Sequence, residues 1–316
     1  MDLNGYMVLG SAIVGLLVGM TGAGGGALMT PMLIFMFGVT PSAAISSDLV
    51  AAVVMRPVGA AVHLKRGTVN LRMVGWLAIG SVPAAILGAL LLRTLGTGAD
   101  AETRIEIILG TALLLGAGSM ALRALTRRGH GGLLPATELD VRPLPTVAIG
   151  LVGGLMVGLT SVGSGSLMIV LLLFLYPAVS ASGLVGTDLV QAIPLTAAAA
   201  LGQLLFGHVV FAVTLSVIIG SVPAVLVGSL VSSRAPDRLL RPIIFFVLLA
   251  SGLKYVGVGT TALAWTMGGV LAASGLGWLV VSQRRVHRDD GGAEDVSVPR
   301  QAGSTGATDP AASPTA

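Results

Sequence analysis

Hydrophobic residues fill most of the chain in long blocks, which polar or glycine-rich segments separate. The blocks are 5–37, 42–62, 71–92, 105–122, 147–176, 181–206, 209–231, 239–256 and 262–281. Most have the length of about 20 residues that a helix needs to cross the hydrocarbon core of a bilayer. The pattern therefore predicts an all-α polytopic membrane protein. After the last block the chain is rich in small, polar and charged residues, which predicts a disordered tail.

The two halves of the chain repeat each other in sequence. The matching segments are 18–29 (VGMTGAGGGALM) and 157–168 (VGLTSVGSGSLM), 47–50 (SDLV) and 187–190 (TDLV), and 80–84 and 220–224 (both GSVPA). Three anchors in the same order at nearly constant spacing indicate an internal duplication. The protein is therefore expected to contain two homologous repeats.

The first block of each repeat is interrupted by glycines. An unbroken helix of about thirty residues would be about 45 Å long, well beyond the hydrocarbon core of about 30 Å. In the first repeat the glycines leave the pieces 5–20 and 27–37, and neither is long enough to span alone. The pattern predicts a re-entrant helical hairpin, which enters the membrane, turns at the glycines and returns to the same side.

The distribution of Lys and Arg favours this hairpin, because cytoplasmic loops collect positive charge. If both broken blocks cross the membrane, the loop cations divide eight against eight. If both return to their own side, thirteen cations share one side and Arg93, Arg104 and Lys254 lie opposite. The thirteen are Lys65, Arg66, Arg72, Arg123, Arg127, Arg128, Arg142, Arg234, Arg238, Arg241, Arg284, Arg285 and Arg288.

A hairpin and three full spans per repeat place the second repeat upside down in the membrane, so two inverted-topology repeats are predicted. The predicted divisions are a first repeat (1–125), a cytoplasmic linker (126–145), a second repeat (146–257), an additional transmembrane helix (258–282) and a disordered cytoplasmic tail (283–316). The N-terminus is expected outside and the C-terminus in the cytoplasm. Labels at Gly98 and Gly131 should therefore report opposite sides.

Composition excludes several other classes of protein. The 316-residue chain is 54% hydrophobic and 10% charged, which excludes a soluble globular protein. It has no cysteine for disulfides or thiol catalysis, and its net charge of +4 is scattered over short loops rather than gathered for nucleic acid. No nucleotide-binding loop, zinc-protease motif or intramembrane Ser-His-Asp set is evident. We therefore expect neither an enzyme nor a resident metal or cofactor.

The two glycine-rich breaks form the predicted substrate site. Inverted repeats bring them together near the midplane, where the N-terminus of each returning half-helix offers N–H groups to an anion. Glycine also lets the backbone approach a ligand closely, and hydroxyls add donors. The residues assigned to this site are Thr21, Gly22, Gly24, Gly25, Gly26, Thr160, Ser161, Gly163, Ser164 and Gly165. The alternative is that these small residues only allow close helix packing.

Polar and ionisable residues inside the spans supply the other candidates. Asp48 and Asp188 occupy equivalent positions about 10 Å deep, where a carboxylate is costly and usually functional. Each is expected either to take up a coupling proton or to brace its hairpin by accepting hydrogen bonds from the glycine turn. Arg56, two turns beyond Asp48, is assigned to the substrate, with snorkelling to the interface as the alternative. Gln191 adds polarity in the second repeat, where Thr196 stands at the position of Arg56.

These paired segments resemble the sulfite exporter TauE/SafE family, also called the TSUP permeases. The resemblance covers about residues 14–256 and rests on all three matching segments. It implies a permease of the bacterial cytoplasmic (inner) membrane for a small sulfur-containing anion such as sulfite, sulfoacetate, sulfolactate or thiosulfate. Alternating access is the expected mechanism, with protons as candidate coupling ions and lipid as the surroundings; an oligomer is compatible with the sequence. The alternative is an anion channel that uses the same helix-terminus site.

Overall fold

Helices occupy the hydrophobic blocks of the sequence. The structure, a computed structural model, describes residues 4–21, 25–65, 67, 69–96, 98–126, 139–165, 167–177, 179, 181–231 and 237–270. The helices in this part of the chain up to residue 255 are α1 (Gly5–Thr21), α2 (Gly26–Phe37), α3 (Pro41–Lys65), α4 (Leu71–Thr94), α5 (Ala99–Thr126), α6 (Pro143–Thr160), α7 (Leu167–Leu175), α8 (Ala181–Phe206), α9 (Phe211–Val231) and α10 (Asp237–Tyr255). Residues 260–270 are also helical. The predicted all-α fold is confirmed.

Six of the described helices are long and apolar enough to cross a membrane. The spanning segments are Pro41–Ala61, Leu71–Thr94, Ala99–Leu122, Pro143–Thr160, Leu184–Phe206 and Phe211–Leu230. The first broken block forms two shorter helices, α1 with 17 residues and α2 with 12. The helix α6 has 18 residues and could span by its length alone. The protein is therefore a multi-pass membrane protein, and the re-entrant path of each hairpin stays a prediction.

Local sequence explains where several helices begin and end. The chain leaves α2 at Gly38, whose positive φ of 63° lets its N–H bond the Ile34 carbonyl at 3.1 Å. At the start of α4, the Asn70 side chain accepts a hydrogen bond of 3.0 Å from the Met73 N–H. These caps satisfy backbone groups that a helix end would otherwise leave unpaired in the membrane.

The helices up to residue 264 belong to one compact unit, and residues 265–316 form a second unit, of which 265–270 are described. The core of the first unit has two main hydrophobic clusters. One includes Met29 of α2 and Leu113 of α5, and the other includes Leu77 of α4 and Met168 of α7. The helix α3 contributes residues to both clusters, so it packs in the core beside α2 of the first hairpin and in the core beside α7 of the second.

Glycines let each hairpin pack closely against a helix of the other repeat. The helix α1 packs on α9, and α6 packs on α4. A Cβ atom at Gly19 would lie 2.4 Å from the Val225 carbonyl oxygen, and one at Gly158 would lie 2.2 Å from that of Ala85. These two glycines are repeat equivalents, and so are their two partners. On these helix faces the glycines therefore do allow close helix packing, which is the alternative that the sequence offers for the small residues.

Hydrogen bonds between the halves follow the same pairing. The Asn70 N–H donates to the Thr187 hydroxyl at 3.1 Å, and the Val210 N–H donates to the Ser47 hydroxyl at 3.4 Å. Ser47 and Thr187 are repeat equivalents that precede the two aspartates. Matching contacts of this kind are expected where two similar halves pack symmetrically, whereas the orientation of each repeat in the bilayer stays a prediction.

Candidate functional site

The breaks in the two hairpins lie in direct contact. Gly26 begins α2, and Ser161 directly follows the last residue of α6. A Cβ atom at Gly26 would lie 2.0 Å from the Ser161 carbonyl oxygen and 2.5 Å from its Oγ. Only glycine allows this approach, which brings the N-terminus of one half-helix to the C-terminal end of another.

The second break has a backbone that suits glycine. Ser161, Gly163 and Gly165 have φ values of 60°, 138° and 90°, in the region that side chains with a Cβ rarely adopt. In the first break Gly25 has a helical φ of −52° and accepts the Met29 N–H at 2.8 Å. Gly22 and Gly24 lie outside the described residues, so their assignment to the substrate site stays a prediction.

Asp48 of α3 connects the two hairpins. Its Oδ2 accepts a hydrogen bond of 2.6 Å from the Ser161 hydroxyl and one of 3.2 Å from the Thr30 hydroxyl of α2. Its side chain is fully buried. Because the donors come from different repeats, this carboxylate holds the tips of the hairpins together, and its proton-coupling role stays a prediction.

Asp188 of α8 binds the turn of its own hairpin. Its Oδ2 accepts a hydrogen bond of 2.7 Å from the backbone N–H of Gly165. This geometry agrees with one of the two alternatives for Asp188, in which it braces its hairpin. The carboxylate accepts a hydrogen bond from a backbone amide that has no partner within the broken helix.

Among the described residues, no group of three or more His, Cys, Asp and Glu could hold a metal ion.

Arg56 of α3 is buried rather than extended to the surface, with 8% of its area exposed. It interacts electrostatically with both Asp188 and Asp48. Its neighbour Met55 is the residue nearest to a Cβ added at Gly25, at 3.7 Å. The guanidinium therefore lies in the field of both aspartates, on the helix segment that borders the first break, and its contact with the substrate stays a prediction.

The hydroxyls assigned to the substrate site differ in their surroundings. Those of Thr21 and Thr160 donate to carbonyls one turn earlier in their own helices, Leu17 and Met156, each at 2.7 Å. The buried Oγ of Ser164 has no hydrogen-bond partner. Thr21 and Thr160 are therefore already bonded within the protein, and the substrate contacts of all three stay predictions.

Three polar residues near the site were not singled out from the sequence. Thr30 donates to Asp48, the Ser81 hydroxyl accepts from the Gln191 side-chain amide at 2.6 Å, and Gln203 donates to the Gly158 carbonyl at 3.0 Å. All three are buried polar residues in apolar helices. That isolation is the signal that could have marked them, since polar side chains buried in membrane helices need partners.

The comparisons with known proteins identify the family of this chain. The model of the family described as Sulfite exporter TauE/SafE matches residues 7–255, which include both hairpins and all of α3 and α8. The chain belongs to this family. It is 38% identical over 252 residues to the Probable membrane transporter protein YjnA of Bacillus subtilis (strain 168), covering 79% of this chain and 98% of that relative. No solved structure matches.

A second relative supports the same class of function. The Probable membrane transporter protein YunE of the same organism is 24% identical over 273 residues, covering 80% of this chain and 97% of its own length. A TauE/SafE family member with six helices of spanning length is a membrane transporter rather than a soluble binding protein. The two breaks therefore belong to a membrane transporter, and their part in its substrate path stays a prediction.

Proposed function

We propose that the protein is a secondary transporter that moves a small sulfur-containing anion, such as sulfite, sulfoacetate or thiosulfate, across the bacterial cytoplasmic membrane by alternating access. The substrate would bind where the two hairpin breaks meet. The observation that carries this proposal is the buried guanidinium of Arg56 on the helix that borders the first break. A buried cation beside half-helix N-termini is a suitable environment for a compact anion.

The chemistry of the breaks supports an oxyanion as substrate. The start of α2 and the turn before α7 are N-termini of half-helices, where the first backbone N–H groups lack partners within the helix and the helix dipole favours a negative charge. In the second turn the Gly165 N–H is already bonded to Asp188, so we expect the substrate to use other amides of the two breaks. The Gly25 and Gly26 amides lie at the start of α2, and Gly163 and Gly165 shape the second turn. Several N–H donors in addition to one guanidinium suit the three oxygens that a sulfite or sulfonate group presents.

The contact between the breaks favours a carrier over a channel. Gly26 and Ser161 touch, and Asp48 bonds donors on both hairpins, so the tips close on each other. A carrier opens such a contact to one side at a time as the two repeats rock against each other. An open anion channel would need a continuous path between the hairpins.

Uptake into proteoliposomes tests the proposed substrate class. Vesicles with the purified protein should accumulate radiolabelled sulfite, sulfoacetate or thiosulfate in a saturable manner, and a pH gradient should change the rate if protons are coupled. Empty vesicles are the control. If none of the three anions moves with any gradient, the proposed function is wrong.

The topology can be tested with single cysteines, because the chain contains none of its own. We expect Asn4→Cys and Thr40→Cys, which flank the first hairpin, to react with a membrane-impermeant maleimide from the same side, the outside. Both residues are exposed. Labelling from opposite sides would show that the first block crosses the membrane and would exclude the re-entrant hairpin.

A further inference from the structure

Of the six buried side-chain polar atoms that lack partners among the described residues, three belong to the second hairpin or to the segment of α8 beside it. Asp188 Oδ1, Gln191 Oε1 and Ser164 Oγ are buried and lack hydrogen bonds, and Asp48 Oδ1 shares this condition. The Asp188, Gln191 and Ser164 side chains are at most 3% exposed. Because buried polar groups are nearly always paired, three such atoms from neighbouring residues indicate a place that a ligand fills.

Local contacts place these three residues close to one another. The Gly165 N–H bonds Asp188 Oδ2 at 2.7 Å, so the carboxylate lies beside Ser164, the residue before Gly165. Gln191 follows Asp188 by three residues and lies on the same face of α8. The Gln191 amide nitrogen is held by the Ser81 hydroxyl at 2.6 Å, which fixes the orientation of its oxygen.

The chemistry of these atoms selects a cation. A carboxylate oxygen and an amide oxygen only accept hydrogen bonds, and a hydroxyl oxygen can also coordinate a metal ion. An anion would meet two acceptors and be repelled, whereas a positive charge would satisfy them. We propose that Asp188, Gln191 and Ser164 form the site of a single monovalent cation, a sodium ion or a proton carried on Asp188, that is coupled to the anion transport proposed above. Gln191 and Ser164 then bind this cation rather than the anion to which the sequence assigns them.

Charge around the site agrees with one added cation. Asp188 and Asp48 are two negative groups that act on the single positive group Arg56. One further positive charge makes this buried set neutral before the anion arrives, which lowers the repulsion between the carboxylates and the substrate. The first repeat has Arg56 as a fixed cation, but the equivalent Thr196 of the second repeat is neutral and bonds the Ala192 carbonyl at 2.7 Å.

Few other charges face Asp188. It lies on α8, which packs against α3, α4, α6 and α7. The helix α3 contributes Arg56 and Asp48, the Arg72 and Arg93 side chains of α4 are exposed near its ends, and α6 and α7 carry no charged residue. The remaining charged residue of α3, Lys65, is exposed at the end of that helix. Among the described residues of these helices, the charge on Asp188 is therefore balanced by Arg56 and by what binds at the site.

Asp48 does not form an equivalent site. Its Oδ2 already accepts two hydroxyl hydrogen bonds. The positions equivalent to Gln191 and Ser164 are Ala51 and Gly25, which have no side-chain oxygen. The two aspartates thus have different roles, with Asp48 closing the hairpins and Asp188 holding the cation.

Coupling ratios measured in proteoliposomes test the proposal. With the membrane potential clamped at zero, a tenfold sodium or proton gradient should support about a tenfold accumulation of sulfite if one cation moves with each anion. Accumulation with only the sodium gradient identifies sodium, and accumulation with only the pH gradient identifies a proton.

The Asp188→Asn variant should lose this accumulation, and so should Gln191→Leu, whereas Ser11→Ala should keep it. Ser11 is the matched control, since its buried hydroxyl also lacks a partner but lies on α1.

The outcomes separate this inference from the proposed function. If sulfite exchanges across the membrane but neither gradient drives accumulation, the transporter assignment stands and the cation site is wrong. If Asp188→Asn and Gln191→Leu accumulate sulfite as the unaltered protein does, the site is also wrong. If either variant fails to fold, the thermal stability of the unaltered protein tests the proposal instead. A bound sodium ion should make the melting temperature higher in sodium chloride than in choline chloride, and a bound proton should make it higher at low pH than at high pH.

Discussion

Replacing Gly26 with alanine is expected to lower the melting temperature of the purified protein by at least about 5 °C. The added Cβ would lie 2.0 Å from the Ser161 carbonyl oxygen, and a backbone atom cannot move aside as a flexible side chain can. The two hairpins would have to separate, which would also lengthen the hydrogen bond from the Ser161 hydroxyl to the Asp48 carboxylate. A thermal unfolding scan in detergent measures the effect.

Gly25→Ala provides the matched control at the next residue. Its Cβ would meet only the Met55 Cε, at 3.7 Å, which is ordinary van der Waals contact. The φ of −52° at Gly25 suits alanine, which loses less backbone entropy on folding than glycine does. The melting temperature should therefore stay the same or rise. An equal decrease in both variants would show that the close contact at Gly26 does not exist in solution.

Arg56→Gln is expected to reduce sulfite transport at least about thirtyfold, because truncating one member of a buried charge pair costs about 2 kcal/mol or more. The variant removes the only buried cation among the described residues near the breaks and leaves the two aspartates without it. Initial rates of uptake in proteoliposomes measure the loss. Arg104→Gln is the control, since Arg104 is exposed on α5, and its rate should match that of the unaltered protein.

A double variant separates substrate binding from stability. Arg56→Gln alone leaves uncompensated buried charge, which is expected to destabilise the fold by about 3–5 kcal/mol. Adding Asp188→Asn removes one negative charge and should restore much of the stability. Because Asp188→Asn alone is expected to lose only the driven accumulation, sulfite exchange is the measurement, and the single Asp188→Asn variant should exchange sulfite whereas the double variant should not. If the double variant exchanges sulfite as fast as Asp188→Asn does, Arg56 does not bind the substrate.

The glycine breaks were predictable from the sequence because backbone freedom is a local property. The repeated segments locate both breaks, and the structure begins α2 at Gly26 and ends α6 at Thr160, directly before Ser161. The buried aspartates could be located in the same way, since carboxylates are rare in apolar helices. Length also predicted that α1 and α2 are separate short helices.

The partners of these residues could not be predicted, because they depend on packing between segments far apart in the chain. Ser161 bonds Asp48 across 113 positions, and Gln191 bonds Ser81 across 110. Thr30 has no polar counterpart in the second repeat, where Ile169 stands at the equivalent position, so the repeat pattern did not reveal it. Glycine spacing indicates that a helix packs closely, but it does not name the helix on the other side.

Exchange of radiolabelled sulfite tests most directly whether the meeting hairpins form a carrier site. Proteoliposomes preloaded with unlabelled sulfite should take up external label faster than vesicles without it, because a loaded carrier returns through its cycle faster than an empty one. The Arg56→Gln variant should lose this acceleration, and Arg104→Gln should keep it. Sulfite uptake that is unaffected by internal sulfite and unchanged in Arg56→Gln would contradict both the carrier mechanism and the site.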